Sequence, residues 1–296
     1  MSARARLCVI FATVGRPADI ERWTSLLQNQ SQPPETVIYS VTCAEDLPSV
    51  EKLYPHSSVV VGDRGLAKQR NRALELAVSE HDIIVFFDDD FVPSNDWLVG
   101  VVSAFSAYPE VVGIDGLVIA DGINSGEIPF ATALDLVEKY ADDDSRQGAP
   151  PIRQTGLYGC NMSFRASAIE DTRFDENLPL YGWQEDVDFS SRLKCRGKLL
   201  RVSSSFGVHR GVRGARLNGF SLGYSQIANP LYLFKKKSVS LKFTVSIILR
   251  NIAMNHLRSL RPEDGIDRRG RLRGNWCAAF DLIRLKIHPT RILEFQ

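Results

Sequence analysis

Ile83-Ile84-Val85-Phe86-Phe87-Asp88-Asp89-Asp90 sets five apolar residues directly against three carboxylates. β-Branched and then aromatic side chains in an unbroken run read as a strand buried on both faces of a parallel sheet. Three adjacent anions repel one another and do not suit a sheet interior. The carboxyl end of a buried strand is, however, where open α/β sheets place ligand groups. Hard divalent cations take oxygen ligands and share them with phosphates. The triplet therefore points to a metal–diphosphate site at a strand end. The competing reading is a solvated acidic turn that leads into a helix near Asp96-Trp97.

Upstream, residues 7–13 read as a first buried strand ending in Thr13-Val14-Gly15-Arg16-Pro17. Pro17 suits the first turn of a helix over residues 18–28. Strands are expected at 36–41 and 58–61, and residues 65–77 carry apolar positions at helical spacing. Strand, helix, strand, helix, strand over the first ninety residues is the order of a doubly wound α/β sheet. The turn after the first strand lacks G-x-G-x-x-G, which excludes dinucleotide binding of the Rossmann type. Arg70 and Asn71, one and a half turns into their helix, read either as phosphate or base contacts or as a surface Arg and a capping Asn.

Downstream, a helix over 96–107 and a strand over 111–114 are expected. Residues 121–151 turn polar and read as a mobile loop, with Asp142-Asp143-Asp144 as a solvated acidic run. Gly159-Cys160-Asn161-Met162-Ser163-Phe164-Arg165 reads as a glycine-led short strand. In Gly182-Trp183-Gln184-Glu185-Asp186-Val187-Asp188 the spacing puts Glu185 and Asp186 in a first helical turn. Carboxylates are stabilised there by the helix N-terminus, or one of them is a general base beside Trp183. Val208-His209-Arg210-Gly211-Val212-Arg213 ends a strand in an anion-binding composition whose His could complete a metal shell.

At 296 residues, 44% hydrophobic and 24% charged, the chain is expected to be globular, with no secretory signal and no membrane span. Five cysteines without a C-x-x-C pair argue for reduced thiols in a cytosol and against structural zinc. The net charge of +1 is unevenly spread: residues 235–296 hold 14 Lys/Arg and five Asp/Glu, a balance of +9 against −8 for the rest.

In combination these segments resemble a family 2 glycosyltransferase with the GT-A fold, over about residues 7–215. Four ordered blocks carry the resemblance: the first strand with Thr13 and Arg16; Gly65 with Arg70-Asn71 and Leu74; Phe87-Asp88-Asp89-Asp90; and residues 159–165 leading to residues 182–188. It implies a Rossmann-like mixed α/β sheet flanked by helices. It further implies that Thr13, Arg16, Arg70, Asp88 and Asp89 meet the nucleotide, and that Asp90 and His209 hold Mn²⁺ or Mg²⁺. Asp186, or less readily Glu185, would take the acceptor proton. Asn161, Trp183, Arg210 and Arg213 would lie near the donor sugar or the acceptor. The implied reaction is an inverting displacement from a nucleoside-diphosphate sugar, most often a uridine one, onto a glycan or lipid-linked acceptor. The family's V-D-D-G-S-like run is replaced by Val41-Thr42-Cys43-Ala44-Glu45-Asp46. The Q-x-x-R-W block of processive synthases is missing, so one sugar per acceptor is expected. A sugar nucleotidyltransferase and a non-catalytic nucleotide-sugar-binding protein are the rival readings.

The expected division is a catalytic domain at 1–230 and a basic helical extension at 231–296. The extension suits an amphipathic helix on an anionic membrane, packing on the catalytic domain, or a homodimer contact. Nucleic acid is not among the expected partners. The expected location is the cytoplasm, at the inner face of the cell membrane where the extension binds lipid.

Overall fold

A computed structural model describes residues 4–143, 149–212, 218–260 and 266–295. The chain divides into two compact units. The first comprises residues 1–64, 68–173 and 192–214, and the second comprises residues 65–67, 174–191 and 215–296.

In the first unit β1 (Leu7–Ala12), α1 (Pro17–Gln28), β2 (Thr36–Val41) and β3 (Ser57–Val61) are followed by α2 (Leu66–Ala77), which begins in the second unit. Next come β4 (Ile83–Phe87), β5 (Phe91–Pro93), α3 (Trp97–Ala107), β6 (Val111–Asp121), α4 (Gly122–Ser125) and α5 (Phe130–Ala141). β7 (Ile152–Arg153), β8 (Asn161–Arg165), α6 (Ala166–Ile169) and β9 (Lys198–His209) complete it. Among the described residues nine strands form one mixed sheet in the order β3-β2-β1-β4-β8-β6-β9-β5, with β7 added on β9.

The sheet is mixed because β4 runs parallel to β1 and antiparallel to β8. Every residue of β4 is buried, as its unbroken apolar run requires. Beneath its end Phe87 packs on Trp23 at 4.8 Å, on Trp97 at 4.6 Å and on Phe91 at 5.6 Å between ring centroids. Each such pair adds roughly 1 kcal/mol beyond its buried area. The acidic turn is thus built on a rigid aromatic floor, and Trp23 Nε1 donates to the Asp89 carbonyl at 3.0 Å.

Three expectations change. The strand expected at 111–114 continues to Asp121, because β6 pairs with β9 as far as Asp121 opposite His209. Residues 121–151 are not one loop: α5 lies within them and buries Ala133 and Val137. Asp142 forms the C-cap of that helix, whereas Asp144 of the expected acidic run lies outside the described residues.

The second unit contains most of α7 (Glu185–Leu193), then α8 (Gly219–Lys235), α9 (Leu241–Ser259), α10 (Arg268–Ile283) and a 3-10 turn over Pro289–Phe295. α8 carries through residue 230, where the sequence suggested a change of domain. α8 and α10 approach closely through glycines. A Cβ on Gly223 would strike the Arg271 carbonyl, and one on Gly274 the Phe220 carbonyl.

Candidate active site

The site in the first unit forms where four strand ends meet. Thr13 follows β1, Asp88 follows β4, Asp121 ends β6 and His209 ends β9. Register brings them together: His209 lies opposite Phe91 on β5 and opposite Asp121 on β6. Gly122 and Gly211 let the two chain ends pass in contact. A side chain at Gly122 would collide with the Arg210 carbonyl, and Gly211, at φ +71°, has no room for one against Gly122.

Asp88, Asp90 and His209 each offer a ligand atom, and these atoms lie within 4.8 Å of one another. His209 Nε2 is 3.3 Å from Asp90 Oδ1, and Nδ1 is 3.1 Å from Asp121 Oδ1. Tyr158 Oη stands 3.1 Å from the same Nδ1 and 3.0 Å from Asp121 Oδ2. Burial alone would lower the His209 pKa, but Asp121 and Asp90 outweigh it and raise it to about 10. Burial likewise works against ionised Asp90, yet His209, Arg16 and the Val212 amide bring its pKa below the usual value. Three carboxylates around one imidazole leave the cluster negative. Two oxygens and a nitrogen converging at this distance suit a hard or borderline divalent cation. The donor set fits a metal.

The remaining member of the acidic run does different work. Asp89 turns to Thr13 Oγ1, which donates at 2.6 Å, and to the Arg16 guanidinium. Burial pushes the Asp89 pKa up to about 7, against the pull of Arg16. Arg16 also donates to the Val212 carbonyl at 2.8 Å and lies 3.7 Å from Asp90. Arg70, 2% exposed, donates to Asp88 at 3.0 Å and to the Gly159 carbonyl at 2.9 Å. Thr13, Arg16, Arg70 and all three aspartates therefore lie within one network.

Two further candidates are occupied elsewhere. Asn161 is fully buried in β8, where its amide meets both backbone groups of Gly116 across the sheet. Arg210 is buried and donates to Asp19 at 2.7 Å and to the Ile128 carbonyl at 3.2 Å. Arg213 lies outside the described residues.

Asp121 and Tyr158 belong to the cluster and were missed in the sequence. The signal available was Ala120-Asp121-Gly122, an aspartate ending an apolar run before a glycine. Asp46, in the run that replaces V-D-D-G-S, is 3% exposed and accepts from the amides of Gly15 at 2.6 Å and Thr42 at 2.8 Å. It ties the loops after β1 and β2 together. A cavity of about 570 Å³ lined by Leu134, Val137, Tyr140 and Phe206 lies elsewhere in this unit, and the acidic turn does not line it.

In the second unit Glu185 and Asp186 occupy the first turn of α7, as their spacing required. The lead-in is strained: Leu180 and Gln184 have φ of 60° and 73°, left-handed values that only the surrounding structure can hold. Asp188, fully buried, accepts from Lys236 at 2.9 Å and Ser238 at 2.5 Å, which anchors α7. Trp183 is half-buried and its carbonyl accepts from Asn229 at 2.7 Å.

Residues 8–173 match the model of the family described as Glycosyl transferase family 2. No curated protein matches the chain in sequence. Among solved structures, S. aureus TarS is similar at 16% identity and a TM-score of 0.53, over 86% of this chain and 44% of that one. This chain therefore spans less than half of that TarS chain. TarS 1–349 in complex with UDP-GlcNAc gives 16% identity and a TM-score of 0.54, covering 86% of this chain and 73% of that one. The mannosyltransferase PcManGT from Pyrobaculum calidifontis, in complex with GDP-Man and Mn²⁺, gives 16% and 0.53, covering 99% and 86%. At these identities the likeness is one of fold.

Proposed function

The chain belongs to glycosyl transferase family 2, with the GT-A fold, and from that premise we propose a metal-dependent, inverting and non-processive transferase. It moves one sugar from a nucleoside diphosphate, with uridine as the preferred base, to a hydroxyl of a glycan or lipid-linked glycan. The observation that carries this reading is the convergence of Asp88, Asp90 and His209 at one strand end of a family 2 domain. Those three residues would hold Mn²⁺ or Mg²⁺, which when bound stabilises negative charge on the leaving diphosphate.

The acceptor oxygen attacks the anomeric carbon as the bond to the diphosphate breaks on the opposite side, which inverts the configuration. Asp186 receives the acceptor proton, the role the resemblance gives it. Its place in the first turn of a helix, where an ionised carboxylate is favoured, supports that assignment. Arg16 and Thr13 hold the acidic turn, and Arg70 fixes the Asp88 carboxylate from behind.

The test is release of nucleoside diphosphate from a panel of nucleotide sugars, with the product's anomeric configuration read by NMR. Asp186→Asn is expected to lower kcat by about 10²–10⁴ while the donor KM changes little. Full activity in that variant, or retained anomeric configuration, contradicts the assignment.

A further inference from the structure

Two helices of the second unit, α9 and α10, carry large apolar residues on their outer faces as well as toward the core. A helix in a water-soluble fold normally turns an apolar stripe inward and polar residues outward. α9 turns Ile248 and Ile252 partly toward the core and fully buries Thr244 and Asn255, yet Leu241, Val245, Leu249 and Leu257 are 45–67% exposed. At 100° per residue these leucines and the valine fall on one outward half of the helix. Asn255 is held inside by donating to Gln226 at 2.8 Å and to Asn275 at 2.9 Å, so buried amides fix which side of α9 faces outward.

α10 continues the pattern. Its buried positions are Gly270, Gly274, Asn275, Ala278 and Asp281, while Trp276, Phe280 and Ile283 are 56–79% exposed. The two outward faces adjoin, since the His256 and Trp276 rings lie 6.2 Å apart. Small and hydrogen-bonding residues between helices, with apolar residues outside, is the packing that lipid favours. None of the described helices is long and apolar enough to cross a membrane.

Charge selects the occupant. Lys242 lies within the outer face of α9 and Arg250 at its edge, Arg269 and Arg273 lie on the outer side of α10 and Arg284 at its C-cap, all of them exposed. The sole acid within the described residues of either helix is Asp281, which is buried against Tyr224 and Arg291. Asp267, at the N-cap of α10, accepts from the Gly270 amide at 2.7 Å. A second copy would bring like charges together; anionic headgroups would neutralise them.

We infer that the joined outer faces of α9 and α10 form an interfacial docking surface for an anionic lipid bilayer. Trp276 and Phe280 enter the headgroup–acyl boundary, and the arginines meet the phosphates. The inference does not depend on the transferase reading, because lipid binding and nucleotide binding are measured separately.

The experiment is sedimentation of the full chain with phosphatidylcholine vesicles, with or without phosphatidylglycerol. The protein is expected to sediment with the anionic vesicles alone. Arg269→Glu/Arg273→Glu should weaken that binding roughly tenfold or more, and Leu249→Glu/Leu257→Glu should abolish it. Circular dichroism and nucleoside-diphosphate affinity should be unchanged in both variants. No binding by the folded protein, or equal binding by wild type and variants, overturns the inference. So does a dimer in sedimentation equilibrium that Leu249→Glu/Leu257→Glu dissociates, which would give the face to a second copy.

Discussion

Asp89 shows how three identical residues in a row acquire different duties. The strand's alternation and the tight turn after it send Asp88 and Asp90 toward His209, while Asp89 swings back to Thr13 and Arg16. Asp89 is therefore a structural partner of Arg16, whose guanidinium is almost as buried as the carboxylate. Removing the Asp89 charge leaves buried Arg16 with only the more distant Asp90, at 3.7 Å, as its counter-charge in the acidic turn. Asp89→Asn is accordingly expected to destabilise the first unit by about 3 kcal/mol, read as a lower urea midpoint at unchanged slope. The strand end was legible from the five apolar residues that precede the triplet, whereas the sequence left a ligand site and a solvated acidic turn both open. The division of labour within the triplet was not legible, because it depends on which way each side chain leaves a turn. Asn161 and Arg210 teach the same lesson in reverse. Their residue types suit sugar hydroxyls, yet both spend their donors on backbone or on Asp19 within the protein.

At the scale of elements, the fully buried strands were read to within a residue or so at each end, since an unbroken apolar run has few other meanings. β6 was cut short by its own glycines, and α5 was hidden by Gly126, Pro129 and the acids that follow it. The signal for α5 was present in Ala133 and Val137, one helical turn apart. α7 is anchored by ion pairs that make a pH prediction possible. Burial acts to raise the Asp175 pKa, but hydrogen bonds from Lys236, Tyr232 and Asn177 outweigh it and bring it to about 2. A depressed carboxylate pKa contributes stability that is complete above its unfolded value near 4 and is lost as pH falls through about 2. Because Asp175 is partly solvated, its share is about 1–2 kcal/mol. Asp175→Asn should lower the thermal midpoint of the second unit at pH 7, and the difference should shrink toward pH 2 and vanish below it. A difference that persists there would mean the effect is packing rather than charge.

For the whole molecule, composition located the basic C-terminal region but not how it is built. Residues 65–67 and 174–191 join residues 215–296 in one unit, an association made by tertiary contacts far apart in sequence. The sequence left membrane, catalytic-domain and second-subunit contacts all open for the extension, because a periodic apolar stripe does not reveal what it faces. The fold itself was legible from four ordered blocks, and the family match over residues 8–173 agrees with them. Asp90, with Asp88 and His209, is proposed to hold a cation on which nucleoside-diphosphate binding depends. Titration calorimetry of UDP into the protein, with and without Mn²⁺, tests it most directly. Affinity is expected to be at least about tenfold higher with Mn²⁺, and that gain to be lost in Asp90→Ala. Equal affinity with and without the metal, or a gain that survives in Asp90→Ala, would contradict the proposal.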